Sequence, residues 1–251
     1  MKKIYIPVGH GGNDPGAVAN GYKEADMNLV TALAMKKELE VNYRGVEVKL
    51  SREKNENDAV GDEVKKGKAY APHIVVSIHN NSGGGDGFEV FYQTNRHKVS
   101  SMRLARLMEE EVKKIGQNSR GLKTRSGEGG KDFYGVLREI DAVSVLCEGC
   151  FLDNKTDIAI ADTEEEQKAF GKAYAMAIAR YIGLEKQQKP TSIKVGDKVK
   201  YSGKLYKDSY GSAIGSTVNG TYTVSKIVEG RMCEILLDNG LGWVKQEDCK
   251  K

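Results

Sequence analysis

The chain has 251 residues, of which 39% are hydrophobic and 29% are charged, and its formal net charge is +4. These values are typical of one or two globular domains, and so small a positive charge is no basis for nucleic-acid binding. No apolar run approaches the roughly 18 residues of a membrane-spanning helix. The basic start Met1-Lys2-Lys3 leads into an apolar stretch that Gly9 interrupts at once. We therefore expect no secretory signal, no membrane span and synthesis in the cytoplasm.

The first predicted strand leads directly into a glycine-rich turn that contains a histidine. The strand covers residues 4–8, and the turn begins at Gly9 and includes His10. Imidazole is the commonest protein ligand for zinc, so His10 is a candidate metal ligand. The alternative is a simple glycine turn in which the histidine has no role. Glu24 follows in the predicted loop before the first helix, which covers residues 25–40.

A second histidine follows the third predicted strand. Residues 46–50 alternate as the second strand, and residues 57–70 predict a surface helix. The third strand, at 73–78, leads into His79 and then Asn81. This histidine occupies the same place after its strand as the first one does.

The remaining elements of this part of the chain continue the alternation of strands and helices. They are a strand at 87–92, a helix at 99–115, a glycine-rich loop at 116–136, a short strand at 136–137, a strand at 143–147 and a helix at 167–181. Such an alternation predicts an α/β fold with a mainly parallel twisted sheet sandwiched by helices.

Three of the apolar strands lead into ionisable side chains, namely His10, His79 and Glu148. Because the carboxyl ends of parallel strands meet at one edge of a sheet, we expect these side chains to lie together. Two histidines and a carboxylate are a usual catalytic zinc set that leaves a position for water, and a second carboxylate can act as base. Since Glu24 is a further candidate, the residues alone leave open which carboxylate is the ligand.

Four segments of the chain carry a resemblance to a known family. They are His10-Gly11-Gly12 with Asp14-Pro15-Gly16, Glu24, Ser77-Ile78-His79-Asn80-Asn81 and Leu146-Cys147-Glu148-Gly149-Cys150-Phe151. They are similar to the zinc-dependent N-acetylmuramoyl-L-alanine amidases of the amidase-3 type, which cut peptidoglycan between the lactyl group of muramic acid and the first alanine of the stem peptide. The resemblance covers about residues 1–183 and implies a zinc amidase catalytic domain.

The resemblance also implies a role for individual residues. It implies one Zn²⁺ per chain, held by His10, Glu24 and His79. It implies that Glu148 is the catalytic base. Arg52 fits the family pattern too, either as a substrate contact or as a structural anchor.

Two further features of this domain leave alternatives open. Asn81 is a candidate substrate contact, and the alternative is that its side chain caps the following loop. The Cys147-x-x-Cys150 spacing occurs in redox and zinc sites, but this pair straddles the end of a predicted strand. Buried, reduced thiols are therefore the favoured interpretation.

The chain changes character near residue 184. Residues 184–192 are polar and include a proline, which predicts a linker. Residues 193–251 then form short alternating strands between turns, with a hairpin signal at 238–240. This pattern resembles a small all-β bacterial SH3-like barrel of the kind appended to cell-wall lytic enzymes, and it implies a cell-wall-binding domain. Its aromatic residues Tyr206, Tyr210 and Trp243 are candidate wall contacts, or they fill the barrel core; we expect a mixture.

The sequence therefore predicts an enzyme whose partner is bacterial peptidoglycan. An amidase with such a tail resembles a phage or prophage endolysin, which waits in the cytoplasm until a holin opens the membrane. The alternatives are a host autolysin, a sporulation-related amidase or a non-catalytic wall-binding protein. A nucleotide-binding protein is disfavoured, because Asp14 occupies the third glycine position of a Gly-x-Gly-x-x-Gly turn and no P-loop triplet occurs.

Overall fold

The chain folds into two compact units, each with its own hydrophobic core, at Met1–Gln187 and Gln188–Lys251. The structure, a computed structural model, describes residues 1–95, 97–187, 193–228 and 231–251.

The first unit is built on a six-stranded sheet. The eight strands of this unit, six of them in the sheet, are β1 (Lys2–Ile6), β2 (Val18–Ala19), β3 (Tyr22–Lys23), β4 (Val46–Leu50), β5 (Ile74–Asn81), β6 (Phe88–Tyr92), β7 (Ser119–Lys123) and β8 (Val143–Phe151). The sheet order is β4-β1-β5-β8-β6-β7, while β2 and β3 form a separate hairpin. Strands β4, β1, β5 and β8 are parallel, and β6 runs antiparallel to β8. The sheet is therefore mixed but mainly parallel.

Helices cover both faces of this sheet. They are α1 (Glu24–Asn42), α2 (Val60–Tyr70), α3 (Lys98–Lys114), α4 (Gly135–Glu139), α5 (Lys155–Ile158) and α6 (Glu164–Ile182). Alternation along the strands decides which residue meets which layer: Ile4 and Ile6 pack with α1, α3 and α6, whereas Tyr5 packs with α2 and α4. In the ranges that the structure describes, no helix is both long and apolar enough to cross a membrane.

The predicted α/β fold with a mainly parallel sheet between helices is confirmed, but three boundaries near the cleft were predicted wrongly. Strands β5 and β8 continue to Asn81 and Phe151, so His79 and Glu148 lie within strands rather than after them. The two strands remain paired in register as far as these residues, although the sequence turns polar there. Glu24 is the first residue of α1 and not part of a loop.

The glycine-rich stretch 116–136 holds more structure than the predicted loop. It contains β7, which pairs with β6 at the edge of the sheet. An edge strand pairs on one side only, so its polar side chains face solvent and the apolar alternation that signals a strand is missing. The predicted short strand at Val136 and Leu137 is a helix, α4, which packs these two side chains on Leu146.

The first residues of the predicted linker at 184–192 hydrogen-bond to the first unit. Gln187 donates its backbone N–H to the carbonyl of Asn42 at 2.8 Å, and Arg44 donates to the carbonyl of Glu185 at 3.2 Å. Residues 184–187 therefore belong to the first unit, because they pair with the chain after α1. The rest of the predicted linker, residues 188–192, lies outside the described residues.

The second unit is a closed four-stranded barrel, which fits the predicted SH3-like domain. Its strands are β9 (Lys198–Tyr206), β10 (Ile214–Ile227), β11 (Ile235–Leu237) and β12 (Gly242–Val244), followed by a 3₁₀ turn at Gln246–Asp248. All pairings are antiparallel, and the pair Trp243–Tyr206 closes the barrel between β12 and β9. The predicted hairpin is confirmed, because Asp238 and Asn239 adopt positive φ values of 37° and 50° between β11 and β12.

The packing of α6 on α1 depends on a glycine. A Cβ atom at Gly171 would lie 2.3 Å from the carbonyl oxygen of Thr31 and 2.8 Å from the backbone nitrogen of Met35. We expect Gly171→Ala to lower the free energy of unfolding by about 1–3 kcal/mol, because two helix backbones must separate. Gly61 in α2 has open space at the same position, so Gly61→Ala is the matched control, with an expected change between zero and a gain of about 1 kcal/mol. Urea unfolding measures both; equal stabilities would contradict this close helix contact.

Candidate metal centre and active-site cleft

The glycine turn after β1 places His10 at the carboxyl ends of the parallel strands. Val8 pairs with Ile78 as an isolated bridge, and Gly9 donates its backbone N–H to the carbonyl of Ile78 at 3.1 Å. A Cβ atom at Gly9 would lie 2.2 Å from Cε1 of His79. Glycine is therefore required here for the turn to pass so close to the second histidine.

Three of the predicted metal-site residues converge on one point. Glu24 lies between the two histidines: its Oε2 is 3.2 Å from Nε2 of His10, and its Oε1 is 3.0 Å from Nδ1 of His79. One ligand atom from each of the three residues lies within 4.8 Å of the other two. The residues come from the turn after β1, the start of α1 and strand β5. Two imidazoles and a carboxylate at this spacing match the donor set of a transition-metal site.

The electrostatics of these three side chains are coupled. Burial alone would raise the pKa of Glu24, but its hydrogen bonds with both histidines hold that pKa well below its usual range. The hydrogen bond to Glu24 raises the pKa of His10 to about 9. Burial opposes the positive charge on His79, yet Glu24 still raises its pKa overall. In the metal-free protein, the carboxylate of Glu24 therefore favours the protonated form of both histidines.

A layer of amides and a carboxylate holds the three side chains in position. Asn80 donates its backbone N–H to Glu24 Oε1 at 3.1 Å, and its side chain donates to Asn28 at 2.9 Å. Asn28 in turn donates to Glu24 at 3.3 Å. Asp14 contacts Nδ1 of His10 at 2.8 Å, which leaves Nε2 facing Glu24. Sequence reasoning assigned no role to these residues; only the position of Asn28 four residues after Glu24, one helical turn, could have signalled one.

Arg52 is part of the scaffold. Its side chain is only 2% exposed. Its guanidinium donates to the carbonyl oxygens of Val8 at 3.1 Å, Gly9 at 3.2 Å, Lys54 at 3.2 Å and Ala25 at 2.8 Å. These bonds tie the histidine turn to the start of α1. We therefore assign Arg52 as a structural anchor and drop the alternative of a substrate contact, because the guanidinium is buried and engaged.

Glu148 lies next to the metal centre on the same face of the sheet. It is the register partner of His79 on β5 and of Glu89 on β6. Burial, together with the nearby carboxylates Glu24 and Glu89, raises the pKa of Glu148 to about 7. A carboxyl group with a pKa near neutrality can both accept and return a proton.

Glu89 is a cleft residue that sequence reasoning missed. It accepts hydrogen bonds from Nε of Arg120 at 2.7 Å and from the side chain of Asn81 at 3.1 Å. The side-chain Oδ1 of Asn81 also accepts a hydrogen bond from the backbone N–H of Ser82 at 2.9 Å. Asn81 thus caps the following loop while it also lines the cleft, so both of its predicted roles remain. The alternating strand pattern at 87–92 was the only signal for the inward-facing Glu89.

These residues line a cavity of about 610 Å³. The metal centre and Glu148 lie at one part of it, and residues of α2, α4 and the loop before α4 line the rest. Two of the lining residues contact aromatic rings: the guanidinium of Arg125 lies 3.8 Å from the ring centroid of Phe133, and Tyr134 packs edge-on against Phe91. The cavity is large enough for part of an organic substrate and not only for a metal ion.

Cys147 and Cys150 are buried, free thiols, as the favoured interpretation predicted. Cys147 packs in the core on the sheet face opposite Glu148, and Cys150 contacts the side-chain oxygen of Asn80 at 3.3 Å. Burial raises the pKa of both thiols. Neither cysteine belongs to the one metal-ligand group found among the described residues.

The predicted wall-contact residues of the barrel differ in exposure. Trp243 and Tyr206 are half-buried and adjacent across β12 and β9, whereas Tyr210 is 61% exposed with the guanidinium of Arg231 at 4.1 Å from its ring centroid. Tyr201 is buried in the barrel core. The aromatic residues of the barrel are therefore divided between core and surface.

An α/β domain with a mainly parallel sheet and a His–Glu–His centre at one edge is the class of protein that fold and cleft define. Residues 4–180 match the family of N-acetylmuramoyl-L-alanine amidases. Since this match covers more than half of the chain, the protein belongs to the N-acetylmuramoyl-L-alanine amidase family.

Individual relatives agree with this assignment. The chain is 32% identical over 186 residues to N-acetylmuramoyl-L-alanine amidase CwlM of Bacillus licheniformis, covering 74% of this chain and 71% of that protein. It is 32% identical over 203 residues to the endolysin of Bacillus phage SPP1, covering 78% and 72%. It is also similar to the solved catalytic domain of CwlV, an N-acetylmuramoyl-L-alanine amidase from Bacillus (Paenibacillus) polymyxa var. colistinus, with a TM-score of 0.64 and 28% identity over 74% of this chain and 100% of that one.

The raised pKa of Glu148 makes a prediction about stability and pH. Its folded-state pKa of about 7 exceeds its ordinary value of 4.5, so between these values the folded chain retains a proton that the unfolded chain has lost. The free energy of unfolding therefore falls as pH rises through this window. In metal-free protein we expect Glu148→Gln to raise the free energy of unfolding by about 1–3 kcal/mol at pH 8, and by much less at pH 5.

Urea unfolding in the presence of a chelator measures this difference. Glu128→Gln is the control, because Glu128 is exposed and its replacement is expected to change stability by less than about 0.5 kcal/mol at either pH. An equal effect of Glu148→Gln at both pH values would contradict the proposed burial cost.

Proposed function

We propose that this protein is a zinc-dependent N-acetylmuramoyl-L-alanine amidase, which hydrolyses the amide bond between the lactyl group of N-acetylmuramic acid and L-alanine of the peptidoglycan stem peptide. The observation that carries the proposal is the convergence of His10, Glu24 and His79 within 4.8 Å, with Glu148 beside them in the same cavity. Membership of the amidase family supports it.

The donor set fits one Zn²⁺ per chain. His10, Glu24 and His79 would hold the ion with two nitrogens and an oxygen, a donor set typical of catalytic zinc sites. When bound, the zinc ion would supply Lewis-acid polarisation of the scissile carbonyl and of water. Hydrogen bonds from Asn28 and Asn80 orient Glu24, and the contact with Asp14 orients His10.

Glu148 moves the proton. Its carboxylate takes a proton from the attacking water while the water oxygen bonds to the carbonyl carbon. It then delivers that proton to the alanine nitrogen as the carbon–nitrogen bond breaks. Amines leave poorly unless they are protonated, so a base that returns its proton suits this reaction, and a pKa near neutrality suits both directions. The products are a free lactyl carboxylate and a peptide with a free amino terminus.

The barrel, residues 193–251, is proposed to bind the cell wall. Exposed Tyr210 and the half-buried pair Tyr206 and Trp243 are its proposed contacts. A wall-binding barrel next to an amidase domain, together with the similarity to a phage endolysin, supports an endolysin role. The alternative is a host autolysin or sporulation-related amidase. Expression in a susceptible host distinguishes them, because an endolysin that waits in the cytoplasm lyses only cells whose membrane a holin or a permeabilising agent has opened.

The metal assignment makes a three-way prediction. The purified protein is expected to hold about one zinc ion per chain, and His10→Ala to lose both the metal and wall hydrolysis. Glu148→Gln is expected to keep the metal and to lose about 10²- to 10⁴-fold in rate. His73→Ala is the control, because His73 lies outside the metal-ligand group and is expected to change neither property.

Metal analysis and the release of free amino termini from purified walls measure these effects. Unchanged zinc content in His10→Ala would contradict the assignment of His10 as a metal ligand. Full hydrolysis by Glu148→Gln would remove Glu148 from its role as base. Release of reducing ends instead of amino termini would show that the bond cleaved is glycosidic.

The two-unit organisation makes a separate prediction. All the proposed ligands and the base lie in residues 1–187, and residues 193–251 contain no histidine. We expect residues 1–187 to hydrolyse a small soluble muropeptide at nearly the full rate but to attack whole walls more slowly, because tethering raises the local substrate concentration. We expect residues 193–251 to sediment with walls without cutting them. A folded tail that stays in the supernatant would contradict the wall-binding role.

A further inference from the structure

Two residues that line the cavity each carry a buried side-chain oxygen atom that the proposed mechanism does not use. Among the described residues, three buried side-chain oxygens lack a hydrogen-bond partner: Asp58 Oδ2, Glu63 Oε1 and Ser77 Oγ. Two of these residues, Glu63 and Ser77, line the same cavity as the metal centre. Buried polar atoms nearly always have partners, because leaving one unpaired costs about 1–3 kcal/mol. Two such atoms in one cavity indicate a binding site.

Both side chains are held by rigid elements. Ser77 is 1% exposed and lies two residues before His79 on β5, so it faces the same side of the sheet at about 7 Å along the strand. Glu63 is 3% exposed and lies in the first turn of α2. The backbone of Glu63 is fixed at both ends, since its N–H donates to Ala59 at 3.0 Å and its carbonyl accepts the hydroxyl of Tyr5 at 2.9 Å.

The surroundings of these oxygens select the kind of group that fits. Val136 and Leu146, both buried, line the same cavity. An ammonium group offers donors only, whereas the carboxyl oxygen of Glu63 and the hydroxyl of Ser77 can together use one donor and one acceptor. A secondary amide carries both in one group, with an N–H to donate to Glu63 and a carbonyl to accept from Ser77. Burial, with the charge of Asp58, raises the pKa of Glu63 to about 7.

We propose that Glu63 and Ser77 form an amide-binding subsite beside the metal centre, which positions the substrate for hydrolysis. The inference rests on the proposed amidase function. Two parts of the substrate carry a secondary amide within reach of the scissile bond. One is the acetamido group of muramic acid, on the ring carbon adjacent to the lactyl ether, and its methyl group would pack on Val136 and Leu146. The other is the second amide of the stem peptide.

Kinetics on N-acetylmuramoyl-L-alanyl-D-isoglutamine test the subsite. Glu63→Leu removes the acceptor and Ser77→Ala removes the donor; each is expected to raise KM about 3- to 10-fold with little change in kcat. Glu63→Gln retains an acceptor and is expected to stay near the wild type. Asp62→Asn is the matched control, because Asp62 is the exposed neighbour in the same helical turn. An unchanged KM in both Glu63→Leu and Ser77→Ala overturns the proposal, because neither oxygen then contributes to substrate binding.

Two substrate analogues distinguish the sources of the amide. One carries hydrogen in place of the acetamido group on the sugar, and the other ends at L-alanine and so lacks the second stem amide. If the acetamido group binds, the penalty of Glu63→Leu disappears on the first analogue and persists on the second. If the stem amide binds, the pattern is reversed. The same penalty on all three compounds overturns the proposal, because Glu63 then acts only through the fold.

A binding measurement separates this proposal from the proposed function. Zinc-loaded Glu148→Gln protein does not need to turn over, so calorimetry on it reports binding of the muramoyl dipeptide directly. Adding Glu63→Leu is expected to raise Kd by about the same 3- to 10-fold factor. A wild type that cleaves nothing refutes the amidase function, whereas an unchanged Kd refutes the subsite. Glu63→Leu is expected to keep or raise Tm, since it removes a buried unpaired carboxyl group.

Discussion

The buried carboxylate of Glu24 is the interaction on which the rest of the cleft depends. It is 4% exposed and bridges His10 and His79, which are far apart in the sequence and belong to different elements. A buried carboxylate is tolerable only when donors surround it, and here two imidazoles, an amide side chain and two backbone N–H groups do so. The same geometry that satisfies this charge prepares the three ligand atoms for a metal ion.

Much of the first unit serves to hold this geometry. Arg52 ties the histidine turn to the start of α1, and Gly9 lets the turn pass directly over the second histidine. Around this fixed centre the cleft keeps groups that favour function over stability. The pKa values of Glu148 and Glu63 are raised to about 7 by burial, and Glu63 lacks a partner for one oxygen. The hydrophobic cores on the two faces of the sheet offset this loss of stability.

The sequence predicted the α/β class and brought the right residue types to one edge of the sheet, because strand alternation and glycine turns are local signals. It could not show that His79 and Glu148 lie within strands, since pairing with a neighbour extends β5 and β8 through polar residues. It missed edge strand β7 for the opposite reason: pairing on one side only leaves no apolar alternation. The interpretation of the cysteine pair as buried thiols was confirmed because strand alternation places Cys147 opposite Glu148.

By itself the sequence determined the alternation of the main strands and helices, the ionisable residue types near the carboxyl ends of the parallel strands and the change to an all-β tail. These follow from periodicity and turn chemistry, which act over a few residues. Only the tertiary structure decided that Arg52 is an anchor and not a substrate contact, that Glu89 faces Glu148, and that Glu63 and Ser77 lie unpaired in the same cavity. Burial and hydrogen-bond partners depend on residues far away in the chain, so no local pattern can carry them.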